Sequence, residues 1–100
     1  MATTPIHVFA RWKVKEGHLR TVLGLLKDVH SKTVLEEGNF FHKVHQSKAN
    51  ANTLLLFEGY ASESAQQAHV NADHFKKGIV EQIVPLLEER EVILAIPLED

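Results

Sequence analysis

Cysteine is missing from this chain of 100 residues. Disulfides, thiol nucleophiles, iron–sulfur clusters and cysteine-bound zinc are therefore excluded. Several cofactor and nucleophile motifs are missing too, since the sequence contains no G-x-G-x-x-G, no P-loop and no G-x-S-x-G. If the chain is an enzyme, we expect it to work without a cofactor, through its side chains alone.

An excess of one charge and long apolar runs are also missing. The net charge is −2 and the Lys and Arg residues are scattered, so there is no basic footprint for nucleic acid. No stretch approaches the ~18 apolar residues of a membrane-spanning helix. The first residues, MATTPIHV, lack the basic and apolar regions of a secretion signal. We expect a cytoplasmic protein with no nucleic acid partner and no membrane partner.

The residues that are present suffice for one folded domain. Hydrophobic residues make up 44% of the chain, which is too many for a disordered protein, and the length fits a single domain at residues 1–100. A chain of this size buries only a little more than ~60% of its unfolded surface. A second subunit would increase that burial, so a homodimer is physically reasonable.

Hydrophobic periodicity predicts an α+β fold with the order β-α-β-β-α-β. Apolar residues alternate along the first strand and recur at helical spacing from Leu19 to Thr33. The predicted elements are strand 6–15, helix 19–37, strand 40–46, strand 53–60, a short helix after residue 62, a helix from residue 73 to residue 85, and strand 91–98.

Particular residues are expected to end or begin these helices. Gly38 is suited to the left-handed conformation that follows a helix. Ser62 can cap the short helix and Asp73 the next one, while Pro85 should kink or end that helix. The second crossover helix is thus expected in two parts.

The third predicted strand is apolar on both faces, which a sheet covered by helices on one side does not require. One face carries Leu54, Leu56, Glu58 and Tyr60, and the other carries Leu55, Phe57 and Gly59. A second subunit is the simplest cover for the face that the helices leave free.

Several short motifs lie in the stretch from Thr53 to Phe75, namely Glu58-Gly59-Tyr60, Ala65, Ala68-His69 and His74-Phe75, and two more precede it, Lys15-Glu16-Gly17 and Glu36-Glu37-Gly38. In this order and spacing they resemble the antibiotic biosynthesis monooxygenase (ABM) domain family. The resemblance implies a ferredoxin-like protomer with a split second helix that pairs with a second copy into a dimeric α+β barrel.

Seven histidines invite a metal site, but their spacing argues against one. His42 and His45 are three residues apart in a strand and therefore face opposite sides. His69 and His74 are five apart across an expected break. We therefore predict no metal.

His69 is the candidate catalytic residue. Its ordinary pKa of ~6.5 allows it to accept or donate a proton at neutral pH, and the small neighbours Ala65 and Ala68 leave room for a ligand. A structural role, as a buried histidine bonded to the backbone, is the alternative.

The predicted substrate-binding residues are Trp12, His45, Phe57, Glu58, Tyr60, His74 and Phe75. Three of these have structural alternatives. Trp12 could serve core packing, Glu58 could make a structural hydrogen bond or ion pair, and His74 could have a role at the helix start.

The resemblance implies three chemistries, which the sequence partly separates. Haem-degrading members carry an asparagine, a tryptophan and an iron-binding histidine where this chain aligns Ala10, His69 and Ile79. An isoleucine cannot bind iron, so haem degradation is not expected.

Two enzymatic hypotheses and one binding hypothesis remain. The first is a cofactor-independent monooxygenase of a quinol or polycyclic phenol, as in the quinol monooxygenase-like branch, with His69 as the base. The second is an isomerase of a small phosphorylated ketone, as in the autoinducer-processing branch, which Glu36-Glu37-Gly38-Asn39 also resembles. The third is a dimeric ligand-binding module without activity.

Overall fold

The computed structural model describes residues 4–99. The predicted domain 1–100 extends beyond this range at residues 1–3 and 100, which lie outside the described residues. The elements in chain order are strand β1 (Ile6–Val14), helix α1 (Leu19–Thr33), strands β2 (Asn39–Gln46) and β3 (Thr53–Tyr60), helices α2 (Glu63–Asn71) and α3 (His74–Ile83), and strand β4 (Leu87–Ala95).

The four strands form one antiparallel sheet in the order β2-β3-β1-β4. Together with the helices this gives the predicted β-α-β-β-α-β order, a ferredoxin-like α+β fold whose second crossover is split into α2 and α3. No helix within residues 4–99 is long and apolar enough to cross a lipid bilayer.

The core lies between the helices and one face of the sheet. Alternate residues of β1, among them Trp12 and Val14, point to this face and are almost fully buried. Val22, Leu26 and Val29 form the apolar stripe of α1 that packs on them. The apolar residues at helical spacing in α1 and the alternate residues of β1 therefore pack against each other, as predicted.

Gly38 departs from its predicted role. Among residues 4–99 the only positive φ belongs to Gly17, at 84°, so Gly38 is not a left-handed helix end. It lies instead where Ala65 of α2 approaches so closely that a side chain on Gly38 would collide with the Ala65 Cβ. Contact, rather than backbone conformation, is what demands glycine here.

The helices of the second crossover follow the prediction in part. The Ser62 hydroxyl accepts a hydrogen bond from the Ala65 N–H at 3.1 Å and caps α2 as expected. Asp73, by contrast, makes no capping hydrogen bond through its side chain. Helix α3 has the wider π geometry and ends at Ile83, and Pro85 lies in the 3₁₀ turn that follows.

Strand β4 begins four residues earlier and ends three residues earlier than predicted. Its first half is rich in charge, from Glu88 to Glu91. In the sheet, however, Glu89 and Glu91 stand opposite Lys13 and Arg11 of β1. Arg11 lies 3.3 Å from Glu89 and 3.8 Å from Glu91, so cross-strand pairing makes the charged residues compatible with the strand.

Alanine substitutions at two glycines test how tightly α2 packs against the loop after α1. Gly38→Ala is expected to destabilise the protein by roughly 1–3 kcal/mol, because the new methyl group meets Ala65 and forces a backbone shift. Gly24→Ala is the matched control, since a methyl group added to the exposed Gly24 of α1 would have no neighbouring atom within 4 Å. There alanine should stabilise by about 0.5–1 kcal/mol through helix propensity. Urea unfolding of both variants checks the two signs, and equal effects would contradict the packing argument.

Candidate functional site

A cavity of about 210 Å³ lies between the inner face of the sheet and helices α2 and α3. The helices cover β1 and β3 but leave the inner side of β4 exposed, at Val92 and Leu94. The cavity walls there are therefore apolar and reach the surface. Its remaining lining consists of Val8, Ala10, Trp12, Glu58, Gln66, His69, Val70, Phe75, Ile79 and Arg90.

His69 lies in the last turn of α2 and is 3% exposed. Its Nδ1 lies 2.8 Å from Oε2 of Glu36, and the Glu36 carboxylate can only accept a hydrogen bond. The Nδ1 atom therefore carries a proton, and in the neutral imidazole Nε2 has the free lone pair. That Nε2 atom faces Glu58, 3.7 Å from Oε1.

Glu58 is the buried carboxylate of the cavity, at 6% exposure. The Tyr60 hydroxyl donates a hydrogen bond to Oε1 at 2.6 Å. Burial raises the pKa of Glu58, and the Tyr60 hydrogen bond opposes this shift only in part. Burial and the neighbouring Glu58 also raise the pKa of Tyr60, so its hydroxyl remains a donor. Tyr60 itself is fully buried behind Glu58.

Trp12 of β1 is 2% exposed and lines the same cavity. Within residues 4–99, no atom accepts a hydrogen bond from its buried indole Nε1–H. Leaving such a donor without a partner costs about 1–3 kcal/mol. A buried donor without an acceptor within residues 4–99 therefore belongs to a residue of the cavity wall.

Glu36, His69 and His74 converge on one point, although the spacing argument had separated the two histidines. Oε2 of Glu36 lies 2.8 Å from Nδ1 of His69 and 2.5 Å from Nε2 of His74. The break at Ala72 turns the chain so that the end of α2 and the start of α3 face the same carboxylate. The spacing argument against a histidine cluster is thus wrong for this pair.

A second histidine pair lies behind Glu58. Nδ1 of His42, in β2, lies 2.8 Å from Nδ1 of His30, in α1. Burial, together with the charge of His30, lowers the pKa of His42 to about 4. His42 is therefore neutral at pH 7, and its Nε2 lies 3.9 Å from Oε2 of Glu58.

The structure brings together some of the residues predicted from the sequence and separates others. Trp12, Glu58, His69 and Phe75 line the cavity. Tyr60 contacts its carboxylate, Glu58, from behind, and His74 contacts Glu36, which is outside the cavity lining. His45 and Phe57 lie on the opposite face of the sheet, beside Phe9 and Leu55.

The reason for this separation is strand alternation. Phe57 precedes Glu58 and therefore points to the other side of β3, and His45 stands opposite Leu55, which shares that side with Phe57. The assignment of both residues to the pocket was wrong. Ala65 and Ala68 likewise line a shallow depression next to Gly38 rather than the cavity.

Three residues of the site were missed from the sequence. Glu36 was noted only in the motifs that carry the family resemblance, without a role in the site, and it meets His69 across 33 positions of sequence, a separation that no local pattern reveals. Arg90 was placed before the last strand, although its place opposite Trp12 makes it a cavity residue. Gln66 precedes His69 by three positions, so helical spacing could have found it.

Comparison with known proteins agrees with this architecture. The sequence model of the family described as antibiotic biosynthesis monooxygenase matches residues 5–80. A comparison with curated protein sequences gives no significant match.

Solved structures resemble the chain over nearly its whole length. Rv0793 from Mycobacterium tuberculosis is 26% identical, with a TM-score of 0.91 and coverage of 97% of this chain and 98% of that one. A conserved protein from Methanosarcina mazei Go1 is 28% identical, with a TM-score of 0.86 and coverage of 93% and 92%. A structure described as an antibiotic biosynthesis monooxygenase is 19% identical, with a TM-score of 0.88 and coverage of 94% and 99%, and it supports the fold alone.

The family match covers the first three strands, α1, α2 and the first part of α3, and thus every element that contributes His69, Glu58, Glu36 and His74. The chain belongs to the antibiotic biosynthesis monooxygenase family.

Proposed function

We propose that the protein is a cofactor-independent monooxygenase that oxidises a small quinol or phenol in the cavity beside His69. The observation that carries the proposal is a histidine in the cavity wall whose Nδ1 proton is held by Glu36, so that its Nε2 lone pair lies on the side of Glu58, the buried carboxylate of the cavity. A positioned base of this kind contributes ~10²–10⁴ in rate.

In the proposed reaction Nε2 of His69 takes the proton of a phenolic hydroxyl. The indole N–H of Trp12, which has no acceptor within residues 4–99, donates to the phenolate oxygen that results. The electron-rich anion then reduces molecular oxygen directly. For a hydroquinone the balance is hydroquinone plus O₂ to hydroxyquinone plus water: one oxygen atom enters the ring, the other leaves as water, and the substrate supplies all four electrons.

The size and lining of the cavity favour a small aromatic substrate. Its volume of about 210 Å³ is below the ~300–1,000 Å³ of sites for drug-sized ligands, which suits one or two fused rings. Phe75 and Ile79 offer flat apolar contacts. A phosphorylated ketone, the alternative substrate class, would place a phosphate near the buried carboxylate of Glu58, with Arg90 as the cation in the lining.

We also propose that two copies pair through the outer face of the sheet. This face carries a cluster of aromatic rings, in which the ring centroid of Phe57 lies 4.7 Å from those of both Phe9, which is stacked on it, and Phe41, which is tilted against it. Phe9 is 45% and Ile93 52% exposed. A contiguous apolar patch of this kind is typical of an interaction surface, and family membership favours a second copy as its partner.

His69→Gln is expected to lower kcat for quinol oxygenation by ~10²–10⁴, because glutamine keeps a donor towards Glu36 but cannot take a proton. Oxygen consumption with a panel of naphthoquinols and benzoquinols measures this. His45→Gln is the matched control, since His45 lies on the other face of the sheet, and it should behave like the wild type.

Two results would contradict the proposal. One is a His69→Gln variant with unchanged turnover of every accepted quinol. The other is a panel in which a phosphorylated ketone raises the melting temperature and the quinols do not, which would favour the isomerase alternative.

Trp12→Phe should weaken the binding of a naphthol by about 1.5–3 kcal/mol, or roughly 10- to 100-fold, because it removes the hydrogen bond to the ligand oxygen and keeps an aromatic ring. Naphthalene, which has the same shape without the oxygen, should bind both proteins alike. Calorimetric titration compares the two ligands. An equal loss for naphthol and naphthalene would mean that the variant changes the shape of the cavity, and the hydrogen bond would be refuted.

Phe9→Asp should convert the dimer into a monomer, because it places a charge in the ring cluster of the outer face. Val80→Asp is the matched control: Val80 on α3 is 47% exposed against 45% for Phe9 but lies away from that face. Sedimentation velocity at micromolar concentration reports the masses. A wild-type monomer, or a Phe9→Asp variant that stays dimeric, would overturn the proposed interface.

A further inference from the structure

The cluster of Glu36, His69 and His74 contains one more histidine than base catalysis requires. Glu36 and His69 alone fix the tautomer of the base, yet His74 also directs Nε2 at the same Glu36 oxygen, at 2.5 Å. One ligand-type atom from each of the three side chains lies within 4.8 Å of the others. Three separate elements, the loop after α1, the end of α2 and the start of α3, supply them.

The donor set is the one that a borderline divalent metal prefers. Two imidazole nitrogens and a carboxylate oxygen bind Zn²⁺ at ~2.0–2.2 Å, which places tetrahedral ligands roughly 3.3 Å apart. The present separations of 2.8 and 2.5 Å are those of hydrogen bonds. An ion therefore needs Oε2 of Glu36 to move away from each histidine nitrogen by less than about 1 Å.

A second, independent observation points to a ligand at this place. The other carboxylate oxygen of Glu36, Oε1, is buried, and no donor within residues 4–99 reaches it. A buried carboxylate oxygen without a partner carries a desolvation cost that a cation removes. The oxygen thus offers a further coordination position beside Oε2.

The surroundings also fit a metal centre. A metal-bound histidine usually donates its other ring N–H to a carboxylate, and Glu58 Oε1 lies 3.7 Å from Nε2 of His69. A path for the ion exists at the depression lined by Glu36, Gly38 and Ala65. The side chains of Glu36 and His74 are 18% and 15% exposed, so the cluster is reachable from the surface.

We propose that Glu36, His69 and His74 form a binding site for a divalent transition metal ion, and that the occupied site turns the base off. Coordination uses the lone pair of Nδ1 of His69. The proton of the neutral ring must then sit on Nε2, which faces the cavity and can no longer accept a proton from a substrate. The inhibition rests on the proposed function, whereas the binding does not.

Cobalt(II) is the spectroscopic probe for the site, and the absence of cysteine from the chain makes a sharp test possible. His74→Cys places a single thiolate at the cluster. It should give a thiolate-to-cobalt charge-transfer band at one equivalent of Co²⁺, and His45→Cys, the matched control on the other sheet face, should give none. A band of equal strength in both variants, or in neither, would overturn the site.

Calorimetric titration of the wild type with Zn²⁺ gives the second measurement. We expect one ion per chain, and at least a 100-fold weaker affinity in Glu36→Gln and in His74→Ala, with His45→Ala unchanged. Circular dichroism establishes that each variant is folded, and His74→Cys supplies the answer if His74→Ala is not. A wild type without a saturable site, or affinity that survives both ligand substitutions, would refute the proposal.

Turnover separates this inference from the proposed function. With an accepted quinol, wild-type activity should fall in step with Zn²⁺ occupancy and return on addition of a chelator, while the residual activity of His74→Ala should not respond. Metal binding without any quinol turnover would refute the proposed function and leave the site intact. Full activity at full occupancy would refute the switch.

Discussion

The shared carboxylate of Glu36 is the interaction on which the site depends. It accepts from His69 and His74 at once, and so it ties the end of α1 to both halves of the broken crossover. Apart from this link, backbone hydrogen bonds around Ala72 and the contact between the rings of His69 and Phe75 connect α2 with α3. The direction of the His69 ring, and therefore which of its nitrogens meets the cavity, follows from where that one oxygen lies.

Several polar side chains are buried around this link. Buried His42, Glu58, Gln66 and His69 interrupt a core that could have been wholly apolar. Burial of such groups without full hydrogen bonding lowers stability. Three of them, Glu58, Gln66 and His69, line the cavity that the helices leave open over β4.

The sequence indicated the framework well, because periodicity is local. Alternation in β1 identified Trp12 and Val14 as core residues, and the hydroxyl of Ser62 marked the start of α2. The same alternation would have excluded Phe57, which was assigned to the pocket for its aromatic ring. The meeting of Glu36 with His74 spans 38 positions and depends on the exact turn at Ala72, which no local pattern encodes. Likewise, the charged start of β4 became a strand only because Arg11 and Lys13 stand opposite it.

The chain has a single tryptophan, and that indole lies in the wall of the cavity with its N–H directed at no protein acceptor within residues 4–99. All indole emission of the protein therefore originates at the place where a guest would sit. A change in the wavelength or intensity of this emission therefore reports on the cavity, without the background that other tryptophans would add. Trp12 is thus an intrinsic fluorescent probe of ligand binding in the cavity.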